Sequence, residues 1–242
     1  METGELADRL VNWIRDRVSE ARCRGVVLGL SGGIDSAVTG VLCKRAFPDT
    51  TLGVLMPCHS NPEDGEHALA LASRFSIRTR EVVLDSVYDA LAGALPGFEA
   101  ESQAGLPSKA NVKARLRMVT LYFFANQFGY LVVGASNRSE IAVGYFTKYG
   151  DGGVDIAPLG NLVKRQVREL AIFLGVPAEI VEKPPSAGLW PGQTDEEELG
   201  LTYEEIDNYL LKGRAREDVR RRIEAMREAA QHKRRPPPIP DF

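Results

Sequence analysis

Residues 26–42, VVLGLSGGIDSAVTGVL, constrain the fold more than any other stretch of the chain. A short apolar run enters a pair of glycines and passes directly into a helical pattern, which is how a strand, tight turn and helix of a parallel α/β unit read in sequence. Three more apolar runs, at 51–56 (TLGVLM), 79–84 (TREVVL) and 130–136 (YLVVGAS), are bounded by Gly, Pro or polar residues and read as buried strands. Helical patterns lie between them at 37–47, 62–75, 87–95 and 108–128, the last with Val112, Leu116, Val119 and Phe123 on one face. Strand alternating with helix predicts a doubly wound parallel sheet, a Rossmann-like α/β fold.

The flanks read differently. Leu6, Leu10, Trp13, Ile14 and Val18 recur at helical spacing, so an amphipathic helix over 1–20 precedes the α/β core of 21–182. Residues 183–200 hold prolines, glycines and an acidic run with little periodicity, and are expected to be a mobile loop that packs as no regular element. Charged helices and a proline-terminated tail fill 201–242, and the whole chain is expected to form one domain. A length of 242 residues, with 44% hydrophobic and 26% charged, suits that size.

Net charge of −3 gives no global attraction to nucleic acid or to an anionic membrane. The basic run RAREDVRRRIEAMREAAQHKRR follows an acidic one, TDEEELGLTYEEID, so paired helical surfaces account for it without a nucleic-acid partner. No apolar run reaches membrane-spanning length, and the N-terminus is no signal peptide. Three cysteines without C-x-x-C spacing indicate neither a disulfide framework nor a zinc site, so the expected location is cytoplasmic.

In parallel α/β folds the first strand-to-helix turn sits where phosphate is bound by backbone amides and a helix N-terminus. Here Gly32 and Gly33 allow close backbone approach, and the Ser31 and Ser36 hydroxyls add hydrogen bonds. No Lys follows the glycines as in a Walker A loop, and their spacing is not that of the dinucleotide fingerprint. A carboxylate beside phosphates repels them unless a cation intervenes, so Asp35 implies Mg²⁺ bridging a polyphosphate; as a plain alternative, Asp35 suits a helix N-terminus.

The S-G-G-x-D-S string resembles the pyrophosphate loop of the ATP pyrophosphatases, which cleave ATP between its α and β phosphates. A second run, GASNRSEIAVGYFTKYGDGGVDIAPLGNLVKRQVREL, with NVKARLRM before it and EKPPSAGLWPGQTDEEELG after it, resembles the NAD synthetases in particular. The YFTKYGDGGVD segment separates them from amidating and thiolating relatives; a non-catalytic ATP sensor would have little use for both Asp35 and Glu140. The resemblance implies a ligase for which ATP is co-substrate: the carboxylate of deamido-NAD is adenylated, pyrophosphate leaves, and ammonia then displaces AMP to give NAD.

Carried over residue by residue, the resemblance makes Gly29, Leu30, Ser31, Gly32, Gly33, Ile34, Asp35 and Ser36 the ATP loop. Ala135, Lys164 and Ser186 match further ATP contacts, with Asp35 and Lys164 the catalytic pair. Asp35 and Glu140 match the magnesium carboxylates, while Arg115, Lys148, Asp155, His232 and Lys233 match the deamido-NAD site. Many bacterial members carry Thr where this chain has Ala135, which removes one hydroxyl from the expected ATP contacts. Read without the resemblance, Glu140 suits a helix first turn, His232 an ordinary surface, and Lys109, Lys113 and Arg117 a solvated helix face beside Arg115. The resemblance also implies a homodimer, with the apolar faces of helices at 108–128 and 217–231 as candidates to bury. It is to the ammonia-dependent form, because only about 25 residues precede the first strand and a fused glutamine amidase needs a domain; a separate amidase subunit remains compatible.

Overall fold

A computed structural model describes residues 2–98, 105–190 and 192–242. Four parallel strands, β1 (Gly25–Gly29), β2 (Thr51–Leu55), β3 (Arg78–Glu81) and β4 (Tyr130–Val132), lie in the order β3-β2-β1-β4. β1 pairs on one side with β2 (Val26 opposite Thr51) and on the other with β4 (Val26 opposite Leu131). The chain leaves β1 toward β2 and returns to place β4 on β1's other flank. Strand order therefore reverses at β1, and a crevice opens beyond the carboxyl ends of β1 and β4.

Successive residues of β1 face opposite sides of the sheet. Val26 and Leu28 bury against α1 (Thr3–Glu20), α2 (Ile34–Ala46), α7 (Lys164–Leu174) and α8 (Ala178–Glu182), in a core including Ile14, Leu42, Leu170 and Ile180. Val27 faces the second core, where Leu52, Val54 and Val132 meet Tyr88 of α4 (Asp85–Ala94) and Leu121 of α5 (Gly105–Phe128). α3 (Pro62–Arg74) joins β2 to β3. A third, smaller core holds Val143 of α6 (Arg138–Val143), Leu199 of α9 (Asp195–Leu199), Ile206 of α10 (Tyr203–Lys212), and Val219 and Ile223 of α11 (Glu217–Ala229). A last turn, α12 (Gln231–Arg234), ends just before the prolines.

Several expectations need correction. The 79–84 run is no buried strand: β3 is a largely exposed edge, shifted to Arg78–Glu81, because it pairs with β2 alone. The 130–136 run pairs as a strand only through Val132, with Val133 making a single bridge to Ile156. On α5 Leu121 and Ala125 join the sheet's core and Ala114 packs near Gly150, while Val119 and Phe123 point outward at 59% and 61% exposure.

Lys113 and Arg117 are not on a solvated face. Lys113 is buried and donates to the Leu189 carbonyl, and Arg117 donates to the Met56 carbonyl and Ser60 Oγ. The 183–200 segment does form regular structure, since α9 closes it with Gln193, Asp195 and Leu199 buried; Pro191 lies outside the described residues. The apolar face of α11 is spent within the chain, against α6 and α10.

Candidate functional site

The turn after β1 is held open by its own side chains. Gly32 takes φ +76° and its backbone abuts the Asp64 carbonyl of α3. Ser36 Oγ donates to the Gly33 carbonyl (2.9 Å) and accepts from the Ser31 amide (3.2 Å), and Ser31 Oγ lies 3.1 Å from it. Ser36 thus braces the loop from beneath. What the loop offers a ligand is backbone and the first-turn amides of α2, which have no partners inside their helix.

Asp35, in that first turn, looks across the crevice. Asn137, delivered by the segment after β4, donates from Nδ2 to Asp35 Oδ1 at 2.9 Å. Lys164, the first residue of α7, donates from Nζ to Asp35 Oδ2 at 2.5 Å and to Glu140 Oε1 at 3.3 Å. All three charged side chains are between 11% and 17% exposed. Two carboxylates and one ammonium leave a net negative charge in a poorly solvated place, which favours a further cation.

Glu140 serves twice. Its Oε2 accepts from the Asn137 amide while Asn137 Oδ1 accepts from the Glu140 amide, a reciprocal cap on α6. The other oxygen faces Lys164, so the helix-terminus role and the charged role belong to one side chain. Burial first, and the Asp35 charge second, push the Glu140 carboxyl above the ordinary carboxylate range, against the pull of Lys164. Burial alone would lower the Lys164 pKa; the two carboxylates raise it instead, so the ammonium stays charged.

The remaining expected residues fall into separate groups. Arg115 donates to the Lys148 carbonyl, Lys148 Nζ to the His232 carbonyl at 2.7 Å, and Lys233 Nζ to the carbonyls of Gly144 and Phe146. These basic residues of α5, the 144–153 loop and α12 therefore gather on one surface. Asp155 stays exposed while its carboxylate accepts from Tyr122 Oη (2.9 Å) and the Val132 amide (2.8 Å). Ser186 is exposed and accepts from the Gly188 amide. Its segment reaches the loop indirectly, since Lys183 pairs with Asp64, against whose carbonyl Gly32 packs. Ala135 lies beyond β4, two residues before Asn137.

Asn137 and Tyr203 escaped the sequence reading although both touch the charged trio. Tyr203 Oη lies 3.2 Å from Glu140 Oε1, and Lys164 Nζ sits 4.7 Å from the Tyr203 ring centroid. The N-R-S-E spacing of a capping box was the available signal for Asn137. Nothing local marks Tyr203, which arrives from α10.

Comparison with known proteins gives a consistent picture. Residues 6–237 match the family described as NAD synthase. The NH(3)-dependent NAD(+) synthetase of Carboxydothermus hydrogenoformans is 48% identical over 98% of this chain and 97% of its own. A solved NMN synthetase from Francisella tularensis superposes with a TM-score of 0.95 at 39% identity, covering 100% of both chains. The NH3-dependent NAD synthetase of Campylobacter jejuni, solved with nitrate, gives 0.82 at 30% identity, again covering 100% of both.

The Gly32 geometry makes a direct prediction. A Cβ there would stand 2.2 Å from the Asp64 carbonyl oxygen at a φ that L-residues rarely adopt. Gly32→Ala is expected to lower stability by about 1–3 kcal/mol and to abolish the rise in Tm that MgATP gives the parent. Differential scanning fluorimetry with and without MgATP checks both; an unchanged ligand-induced rise would remove the loop from the nucleotide site.

Proposed function

This chain belongs to the NAD synthase family, and we propose that the crevice above β1 and β4 is where it adenylates and then amidates the nicotinate carboxylate of deamido-NAD. The enzyme is an ammonia-dependent NAD(+) synthetase, a ligase acting on small molecules with ATP as co-substrate. The observation that supports this placement is the Asp35–Lys164–Glu140 trio beside the Gly32–Gly33 backbone turn.

A carboxylate does not react with ammonia until one of its oxygens becomes a good leaving group. In the first step a carboxylate oxygen of deamido-NAD attacks the α-phosphorus and pyrophosphate departs. In the second, ammonia attacks the activated carbonyl carbon and AMP leaves with that oxygen, the surplus proton passing to base. The β1 turn binds the departing phosphates through backbone amides. Lys164, kept charged by its carboxylate neighbours, is poised to follow the phosphate charge.

Magnesium fits the donor set. Among the described residues no three His, Cys, Asp or Glu side chains are arranged to hold a metal by themselves. Mg²⁺ characteristically takes one or two carboxylates and completes its shell with water and substrate phosphates, and Asp35 with Glu140 supplies that number. Bound there, it would neutralise the leaving pyrophosphate. Arg115, Lys148, Asp155, His232 and Lys233 serve deamido-NAD, with the basic members suited to its phosphates, and Ala135 and Ser186 serve ATP. Residues 183–200 cover the nucleotide and keep water from the adenylate.

The working unit is a homodimer. Val83, Val87 and Leu91 near and on α4, and Val119 and Phe123 on α5, are exposed apolar side chains available to bury in such an interface. No helix among the described residues is long and apolar enough to cross a membrane. The three cysteines are unpaired, which supports a reducing, cytoplasmic setting. A second reading rests on the Francisella tularensis protein, which is named for NMN synthesis. Nicotinate mononucleotide presents the same reacting carboxylate without the AMP half, so both acids belong in the assay.

Purified protein with ATP, Mg²⁺, NH₄⁺ and deamido-NAD is expected to give NAD and AMP in equal amounts; ADP as product contradicts the reaction. A higher kcat/KM with nicotinate mononucleotide favours the second reading. Asp35→Asn is expected to lower kcat by at least ~10²-fold with the fold intact by circular dichroism, and near-parental turnover at saturating Mg²⁺ contradicts the assignment. Light scattering is expected to show a dimer that Phe123→Asp converts to a less active monomer; a fully active parental monomer contradicts the dimer.

A further inference from the structure

We propose that Tyr203, backed by Asp195, is a positioning residue that sets the Lys164 ammonium and the Glu140 carboxylate against each other and ties their placement to the segment preceding α9. The inference rests on the catalytic reading of Asp35, Glu140 and Lys164 given above. It adds two residues, on two further helices, to which that reading gives no part.

Lys164 is gripped by α10 at both ends. At its backbone, the Lys164 amide donates to Ser139 Oγ (3.1 Å), and Ser139 in turn donates to Asp207 Oδ1 of α10 at 2.6 Å. The other Asp207 oxygen accepts from the Arg165 amide at 2.8 Å, so one buried carboxylate of α10 fixes the first turn of α7. At its tip, the ammonium lies over the face of Tyr203, where the ring quadrupole favours a cation. A four-carbon side chain with many rotamers is thereby reduced to one path between α10 and the carboxylates.

The Tyr203 hydroxyl completes the arrangement. It has one proton and two carboxylate acceptors, Asp195 Oδ2 at 2.9 Å and Glu140 Oε1 at 3.2 Å. Tyr203 and Asp195 are 5% and 4% exposed, too buried for water to substitute freely for either partner. Glu140 is consequently bounded on three sides: its cap to Asn137, the ammonium and the phenol.

Asp195 connects this geometry to the preceding segment. Its amide donates to the Pro185 carbonyl at 3.0 Å, and its Oδ1 accepts from Tyr145 Oη at 3.1 Å. Gln193 donates to Glu198 at 2.8 Å and accepts from the Leu189 amide at 2.9 Å, while Lys113 donates to the Leu189 carbonyl. The bonds of Pro185, Leu189 and Gln193 thus bear on where Asp195 stands, and Asp195 decides where the Tyr203 hydroxyl points. Pro185, ahead of α9, and the Glu140 carboxylate of the trio are joined through Asp195 and Tyr203 by one hydrogen-bonded path.

Tyr203→Phe in the full-length enzyme removes the hydroxyl and keeps the ring. It is expected to lower kcat about 10-fold, the size of one hydrogen bond to a charged group, with KM for ATP changed less than about 2-fold. Mn²⁺ in the presence of ATP, titrated by electron paramagnetic resonance without deamido-NAD, is expected to bind several-fold more weakly than to the parent. Tyr203→Leu, which also removes the ring, is expected to lose more kcat. Tyr209→Phe, on the same helix but bonded to Glu224 at the surface, is the control expected to behave as the parent.

Parental kcat and Mn²⁺ affinity in Tyr203→Phe overturn the proposal, as does a loss of activity no greater than the loss of folded protein. Should Tyr203→Phe fail to fold, Asp195→Asn keeps both phenols and the volume and must show the same split, a fall in kcat at little-changed KM. An inactive parent counts against the functional reading itself, and the proposal falls with it. An active parent matched by Tyr203→Phe counts against Tyr203 alone.

Discussion

The arrangement depends on an ammonium held between two carboxylates at the reversal point of a parallel sheet. Lys164 comes from the first turn of α7, Asp35 from the first turn of α2, and Glu140 from the first turn of α6. Three helix N-termini converge there because each follows a segment leaving the carboxyl side of the sheet. A buried lysine without its carboxylates, or the carboxylates without it, would carry an uncompensated charge costing several kcal/mol.

The remaining layers keep those three helix ends in place. The core behind Val26 and Leu28 seats α2 and α7, and the core in front of Val27 seats α5. The third core anchors α6 to α10 and α11, and α10 carries the Asp207 and Tyr203 side chains that reach back to α7 and the trio. The C-terminal helices therefore brace the charged trio from behind, although the glycine turn beside it lies in the first third of the chain.

Much of this was legible in sequence. The glycine turn, the alternation of strand and helix, and the carboxylate beside that turn each have a local signature, and in the structure Asp35 and Glu140 both meet the Lys164 ammonium. Lys113 and Arg117 show where local reading stops. Their spacing marks a solvated face, but in the fold backbone carbonyls of Met56 and Leu189 are there to receive them. Asp195 and Tyr203 belong to segments whose sequence says only acidic loop and helix start; their meaning comes from tertiary packing. The outward Val119 and Phe123 are a third case, since amphipathicity reports that an apolar face exists and not which surface it meets.

The central claim is that this crevice activates a carboxylate by transferring AMP to it, and the fate of the carboxylate oxygens reports that transfer directly. With deamido-NAD labelled with ¹⁸O in the nicotinate carboxylate, mass spectrometry of the products after a turnover with ATP and NH₄⁺ should find one labelled oxygen in the phosphate of AMP and one retained in the amide of NAD. Label in inorganic phosphate or pyrophosphate, or AMP released without label while NAD is formed, would contradict the account.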